Sequence, residues 1–389
     1  MAIAPGAWLG LLGGGQLGRM FCMAAQSLGY RVVVLDPGRD GPAASVADRH
    51  LAADYLDAKA LAELARLAEA ATTEFENVPA AALDFLARSA RVTPSASSVA
   101  IAQDRISEKT FLAGHGFAVA PHAVLRTAAD IDAIDPAHLL PGIVKSARFG
   151  YDGKGQVTVT TPDAVREAWR AMKSQACVLE RRVDLAREVS VIVARNERGE
   201  VATWPVAENR HRDGILDVSI VPARVEPSLA ERARAIGTGV AQALDYRGVL
   251  CVELFVTRDG ALLVNEIAPR PHNSGHFTID ACVTSQFEQQ ARVLADLPLG
   301  DTRQHTPAVM VNLLGDLWFE GGTRREPAWS DVLRHPCAKL HLYGKAEPRP
   351  ARKMGHVTCL GTTLPQALAT AREVKRLLGI AGADELQGD

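Results

Sequence analysis

The sequence predicts a multidomain α/β and α+β protein: a doubly wound parallel-sheet domain, then a larger mixed domain, then a small β-rich end. Three observations carry this. Short β-branched runs alternate with helix-like stretches as far as Pro94, the pattern of parallel strands joined by helices. From about Ser98 strand-like runs follow one another through turns, as in an antiparallel sheet. The 389 residues also exceed what one ordinary core organises. We expect domains at 1–97, 98–300 and 301–389.

In order along the chain, Trp8 to Leu12 is a short apolar strand, Gln16 to Leu28 a helix, and Gly29 its stop. Arg31 to Leu35 is β-branched and suits a strand buried on both faces. A helix over Ala58 to Ala70 and a strand near Thr72 to Phe75 continue the unit. Two helical stretches then lead to Pro121, and Ile143 to Ala147 is a strand carrying Lys145. Further strands are expected at Gln156 to Thr160, Ala176 to Val183, Glu188 to Arg195 and Gly248 to Thr257, with a helix over Ser228 to Leu244. Short strands at Lys339 to Tyr343 and His356 to Leu360, and a helix over Pro365 to Leu378, close the chain.

Composition narrows the classes. A hydrophobic fraction of 47% with 23% charged residues is that of a soluble globular protein. The balance of 43 Lys and Arg against 45 Asp and Glu, without a basic tail or stripe, leaves nucleic-acid binding no electrostatic support. No run of about 18 apolar residues predicts a membrane span, and the start, without a basic segment, reads as a buried strand and not as a signal peptide. The six cysteines are scattered with no CxxC pair, which disfavours structural zinc and disulfides and fits free thiols in a reducing cytoplasm.

Gly13-Gly14-Gly15-Gln16-Leu17-Gly18 matches G-x-G-x-x-G between a strand and a helix, with Asp36 ending the next strand. Alone this suggests an NAD-dependent oxidoreductase. The same backbone would cradle any phosphate, or serve only as a tight turn.

A second feature points elsewhere. Strands Cys251 to Arg258 and Ala261 to Ile267 flank Asp259-Gly260, a two-residue hairpin signal. If Arg258 faces Ala261, Glu253 faces Glu266, with Cβ atoms about 4.5–5.5 Å apart. Opposed carboxylates in apolar strands repel, so a shared proton, a basic neighbour or a divalent cation must offset them. Mg2+, a hard ion that bridges carboxylates to phosphates, suits the pair best. Arg105, Lys145 and Lys154 supply the cations a triphosphate needs, and Gly150, Gly153 and Gly155 would let their loop fold over phosphates.

The stretches GLLGGGQLGRM (10–20), TEFENVP (73–79), QDRISEK (103–109), FGYDGKGQ (149–156), REVSVIV (187–193), NEIAPRPHNSGHFT (265–278) and RPARKMGH (349–356) together resemble the ATP-grasp superfamily. Within it they resemble the purine-biosynthetic ligases that carboxylate aminoimidazole ribonucleotide. The resemblance implies a three-domain fold and a reaction in which ATP phosphorylates bicarbonate and the exocyclic amine takes up the carboxyl group. It places Arg105, Lys145, Gly150, Tyr151, Asp152, Gly153, Lys154, Gly155 and Gln156 on the ATP phosphates. Glu180, Arg181, Arg182 and Val183 fall in the adenine segment, with Glu188 on the ribose and His211 beside the nucleotide. Glu253 and Glu266 become Mg2+ ligands, with Asn265 beside them.

Arg270, His272 and Asn273 become a bicarbonate cradle, and Asp152, Arg270 and Tyr151 the catalytic candidates. Gln16, Leu17, Glu76, Lys345 and Arg352 are implied for the ribonucleotide, the last two for its phosphate. ATP, bicarbonate and aminoimidazole ribonucleotide are then the ligands, and a homodimer is implied. A formate-using ligase acting on glycinamide ribonucleotide shares the ATP site and stays open as an alternative, as does a regulatory protein that has lost catalysis. Two departures matter: the usual Arg-Pro-Gly-Arg-Lys stretch reads with Ala351, which carries strain if that position needs a positive φ, and Pro348 stiffens the approach from Lys345.

Overall fold

The computed structural model describes residues 1–148, 150 and 155–386. Among them the first sheet is five-stranded and wholly parallel, in the order 49–51, 31–35, 8–12, 70–73, 91–92. Successive residues of Arg31–Leu35 feed opposite layers. Val32 and Val34 pack with Leu9, Leu11 and Phe21, whereas Val33 and Leu35 pack with Leu12, Leu61 and Leu64. This two-sided burial is why the strand is apolar throughout and not alternating. The helix Gln16–Ser27 begins directly after the glycine cluster.

A four-stranded antiparallel sheet follows, in the order 122–125, 177–181, 142–146, 156–159. It brings Lys145 beside Val178. The largest sheet runs 262–268, 248–257, 185–195, 207–212, 215–221, 308–314, 353–360, 338–342, with 201–203 paired to 185–195. Strands from beyond residue 301 thus extend the sheet of the preceding segment through the pairing of Val218 with Val311. The helix Pro227–Ala243 covers strands 185–195 and 248–257 through Ala233, Val240 and Ala241. The helix Leu364–Leu378 covers the C-terminal strands through Ala367, Leu368, Ala371 and Val374. Among the described residues no helix is long and apolar enough to cross a membrane.

The hairpin differs from its expected form in one respect. Val256 pairs with Leu262 and Leu254 with Val264, and Thr257 closes on Ala261, so the loop is Arg258-Asp259-Gly260 and not Asp259-Gly260. Gly260 sits at φ +80°, the left-handed position that ends a three-residue loop. A bulge at Asn265 then shifts the register by one, and Glu253 does face Glu266.

Candidate functional site: an acid- and cation-lined cleft

A cavity of about 980 Å³ lies where the first sheet, the two antiparallel sheets and the C-terminal segment meet. It gathers Gln16, Leu17, Glu76, Arg105, Lys145, Gly150, Gly155, Gln156, Glu188, His211, Glu253, Asn265, Glu266, Arg270, Lys345 and Arg352. Residues separated by more than 300 positions therefore share one space, as the motifs implied. Tyr151, Asp152, Gly153 and Lys154 lie outside the described residues. Glu180, Arg181, Arg182 and Val183 do not line the cavity; the amides of Arg181 and Arg182 are engaged by the carbonyls of Pro121 and Pro141.

The glycine turn is closed from within. Glu74, buried at the end of the fourth parallel strand, accepts hydrogen bonds from the amides of Gly15 and, at 2.6 Å, Gly18. A Cβ at Gly13 would stand 2.3 Å from Glu74 Cγ, so the turn requires glycine for this approach. Its carboxylate takes the helix N-terminal amides that would otherwise receive a pyrophosphate. Asp36, the expected ribose acid, accepts from the Tyr55 hydroxyl at 2.6 Å and the Gly38 amide at 2.8 Å. The dinucleotide reading loses its anion site.

Lys145 and Lys109 share one buried carboxylate. Glu180 stands 2.9 Å from Lys145 Nζ and 3.6 Å from Lys109 Nζ, with side-chain exposures of 3%, 10% and 1%. Burial opposes ionisation of Glu180, but the two lysines outweigh it and hold its pKa down at about 2. Lys109 also donates to the carbonyl of Asn265 at 2.8 Å, tying this network to the hairpin bulge. Arg105 reaches Glu266 at 3.3 Å. Glu108 accepts from the Ile267 amide at 2.6 Å, and burial pushes its pKa up to about 7 despite nearby Arg105 and Lys109. Arg105, Glu108 and Lys109 have the i, i+3, i+4 spacing of one helix face; that spacing was the available signal for the two residues the sequence reading passed over.

The opposed acids are offset by bases. His272 Nε2 lies 3.0 Å from Glu253. Although burial raises the Glu253 pKa, His272 keeps it well below the ordinary carboxylate range. His272 Nδ1 is fixed by Ser274 Oγ at 2.9 Å. His211 Nδ1 meets Glu188 at 3.0 Å; burial disfavours its charge, but the Glu188 hydrogen bond raises its pKa on balance. Arg270 is locked to Glu76 by a short ion pair. Burial acts against charge on both partners, yet the pairing lowers the pKa of Glu76 and raises that of Arg270.

Several buried polar atoms facing this region find no protein partner: Arg105 Nε, Asn265 Oδ1 and both amide atoms of Asn273. Buried polar atoms are nearly always satisfied, so these have hydrogen-bonding capacity left for a ligand or water in the cavity. Oxygen donors Glu253, Glu266 and Asn265 at one place form a set that fits a hard divalent cation. From the C-terminal segment, Lys345 donates to the carbonyl of Lys353 at 2.6 Å and Arg352 to that of Glu347 at 2.7 Å. Ala351 adopts φ +64°, so the expected strain is present, and its amide donates to Asp316 at 2.7 Å.

Three family profiles match in order. They are the ribonucleotide synthetase pre-ATP-grasp domain over residues 7–103, the ATP-grasp domain over 110–287, and the phosphoribosylaminoimidazole carboxylase C-terminal domain over 308–370. N5-carboxyaminoimidazole ribonucleotide synthase of Brucella melitensis is 47% identical over 359 residues, covering 92% of this chain and 97% of that protein. The ADP complex of an N5-carboxyaminoimidazole ribonucleotide synthetase superposes with a TM-score of 0.91 at 41% identity, over 97% of this chain and 98% of that one. The Aspergillus clavatus synthase in complex with ADP and 5-aminoimidazole ribonucleotide gives 0.87 at 30% identity, over 96% and 99%.

Proposed function

The chain belongs to the N5-carboxyaminoimidazole ribonucleotide synthase family of ATP-grasp ligases, and from that membership we propose how its cleft carries out the reaction. It is an ATP-dependent carbon–nitrogen ligase of purine biosynthesis, acting on aminoimidazole ribonucleotide and bicarbonate. ATP phosphorylates bicarbonate to carboxyphosphate, the exocyclic amine of the ribonucleotide takes the carboxyl group, and ADP and phosphate leave.

The observation that carries the residue roles is the single cavity uniting the Glu253 and Glu266 acids, the Arg105 and Lys145 cations, and Lys345 with Arg352. Phosphoryl transfer needs positioning and charge neutralisation more than covalent chemistry from the protein. Lys145, on the cavity wall and fixed by Glu180 at 2.9 Å, is placed to meet the phosphates. Arg105 keeps Nε unsatisfied for the same purpose. Glu253, Glu266 and Asn265 would hold Mg2+, which when bound neutralises charge on the phosphate oxygens. Glu188 and His211, mutually paired, are suited to the ribose.

Arg270, immobilised by Glu76, presents a fixed guanidinium for the anionic bicarbonate, with Asn273 contributing unpaired donors and acceptors. Gln16 and Leu17, at the first turn of the helix whose amides Glu74 fills, approach the ribonucleotide. Lys345 and Arg352 meet its phosphate. The formate-using reading is set aside by the family, and the NAD reading by the Glu74 carboxylate. The free cysteines fit a cytoplasmic protein, and exposed Met23 and Leu342 beside an apolar groove of about 610 Å³ fit a self-associating face.

The test is ADP release from purified protein with Mg2+, ATP and bicarbonate, with and without aminoimidazole ribonucleotide. Stimulation by the ribonucleotide is expected, and its absence would overturn the residue-level reading. In the same assay Glu266→Gln should lower kcat by about 10²-fold or more. Its 39% exposed side chain predicts a thermal melting point close to that of the unaltered protein. Retained turnover in Glu266→Gln would remove Glu266 from the metal set.

A further inference from the structure

One residue beside the acid pair has no part in the reaction described above. Cys251 lies two positions before Glu253 on the same strand and so on the same sheet face. One donor atom from each of Cys251, Glu253 and His272 lies within 4.8 Å of the others. Their chemistry is unlike that of the Mg2+ set: one thiol sulfur, one imidazole nitrogen and one carboxylate oxygen. Sulfur and nitrogen donors favour zinc-like borderline cations over hard ones.

We propose that Cys251, Glu253 and His272 form a second cation site, selective for Zn2+ and related thiophilic ions, which shares Glu253 with the Mg2+ set. Occupation by Zn2+ therefore competes with productive Mg2+–nucleotide binding.

The His272–Glu253 side of the site needs little adjustment. His272 Nε2 and Glu253 Oε1 are 3.0 Å apart as a hydrogen-bonded pair. Two ligands about 2.0–2.1 Å from a tetrahedral zinc stand roughly 3.3 Å apart, so opening that contact by a few tenths of an ångström admits the ion. The imidazole is already oriented by Ser274 Oγ, which itself contacts Ser190 Oγ at 2.7 Å, itself bonded by Asn209 at 2.9 Å. A supporting chain of this kind is what holds a metal-binding histidine in one ring orientation.

Asn273, next in sequence and lining the same cavity, is 8% exposed and buries both amide atoms without a partner. Its Oδ1 is thus an unpaired oxygen in the cavity that Glu253 and His272 also line. The cation enters from the cavity past Glu253 and His272, since Cys251 lies fully buried behind them. Burial pushes the Cys251 thiol pKa well above its usual value, so the cation itself must displace the proton, which leaves through the cavity to solvent. For the neutral imidazole to coordinate through Nε2, its proton moves to Nδ1, which gives up the 3.3 Å hydrogen bond it accepts from the Ser274 amide and donates to Ser274 Oγ instead.

The inhibitory consequence rests on the reading of Glu253 as a Mg2+ ligand, but the site itself does not, and two measurements separate them. Co2+ titrated into the intact protein without nucleotide should produce thiolate-to-metal charge-transfer absorption in the near ultraviolet. Cys251→Ala should lack that absorption, as should Cys251→Val, included because either change alters a buried strand position. Both variants should retain the unaltered protein's Mg2+-dependent turnover and cooperative melting. At fixed Mg2+ and ATP, Zn2+ should inhibit the unaltered protein, and Cys251→Ala should need at least about tenfold more Zn2+ for the same inhibition. Absence of the absorption band, or its persistence in both variants, overturns the site. The band together with equal inhibition of variant and parent overturns the competition. Because the spectrum is read without ATP, failure of the ligase assay leaves the site's own test intact.

Discussion

Lys145 and Lys109 are 10% and 1% exposed and both lean on the carboxylate of Glu180. Lys345 and Arg352, on the C-terminal segment, are half-buried and donate to the main-chain carbonyls of Lys353 and Glu347. The first arrangement fixes charge by electrostatics in a poorly hydrated interior, where removing the shared carboxylate leaves both ammonium groups uncompensated. The second fixes charge by backbone geometry on a rim that water reaches, where side chains can change at modest cost. The departure from the family pattern at Ala351 falls on the rim.

Glu180→Ala should break this contrast most severely. It leaves two buried ammonium groups without their shared counter-ion, and we expect a loss of about 3–5 kcal/mol, read as a lower denaturant midpoint. A change below about 1 kcal/mol would mean that the buried network behaves like a surface one. Glu108 offers a smaller, pH-dependent test. Its folded pKa of about 7 lies above the ordinary carboxylate value because of burial, so the native state holds the proton more tightly than the unfolded chain. That contribution is fully present below the unfolded value and is lost as pH rises through about 7. The melting temperature of the unaltered protein should therefore fall, relative to that of Glu108→Gln, as pH is raised across this window. Parallel profiles would show that Glu108 is not protonated in the fold. Ala351→Gly should sharpen the description of the rim: relief of the positive φ predicts a gain of up to about 1 kcal/mol, less the extra freedom glycine gives the unfolded chain. A loss of stability in differential scanning calorimetry would contradict it.

Much of the fold was legible because its signals are local. Trp8–Leu12, Arg31–Leu35 and Gly248–Thr257 take the bounds their short apolar runs predict. The facing of Glu253 and Glu266 was reached by arithmetic in which two errors cancelled. The loop holds three residues and not two, and the Asn265 bulge restores the register. That bulge depends on contacts from far along the chain: Val264 donates to the carbonyl of Ala118 at 2.7 Å, and Lys109 donates to that of Asn265. No local pattern reports such partners. The same limit explains Glu74 and Glu180. A strand-end acid reads alike whether it faces a ligand, caps a glycine turn or neutralises a lysine. Only the fold reveals that Glu74 points to the Gly15 and Gly18 amides while Glu76, two residues on, faces Arg270.

The pairing of Val218 with Val311 has a practical side for anyone who would divide this chain. A cut near residue 301 would look harmless on a domain diagram. It would strip strand Ile215–Val221 of one of its two neighbours and uncover a row of unpaired amides and carbonyls flanked by Val218 and Ile220. Such an edge recruits strands from other chains. The C-terminal segment is therefore a built-in guard against aggregation as well as a supplier of cations, and fragments meant for separate expression should be divided elsewhere.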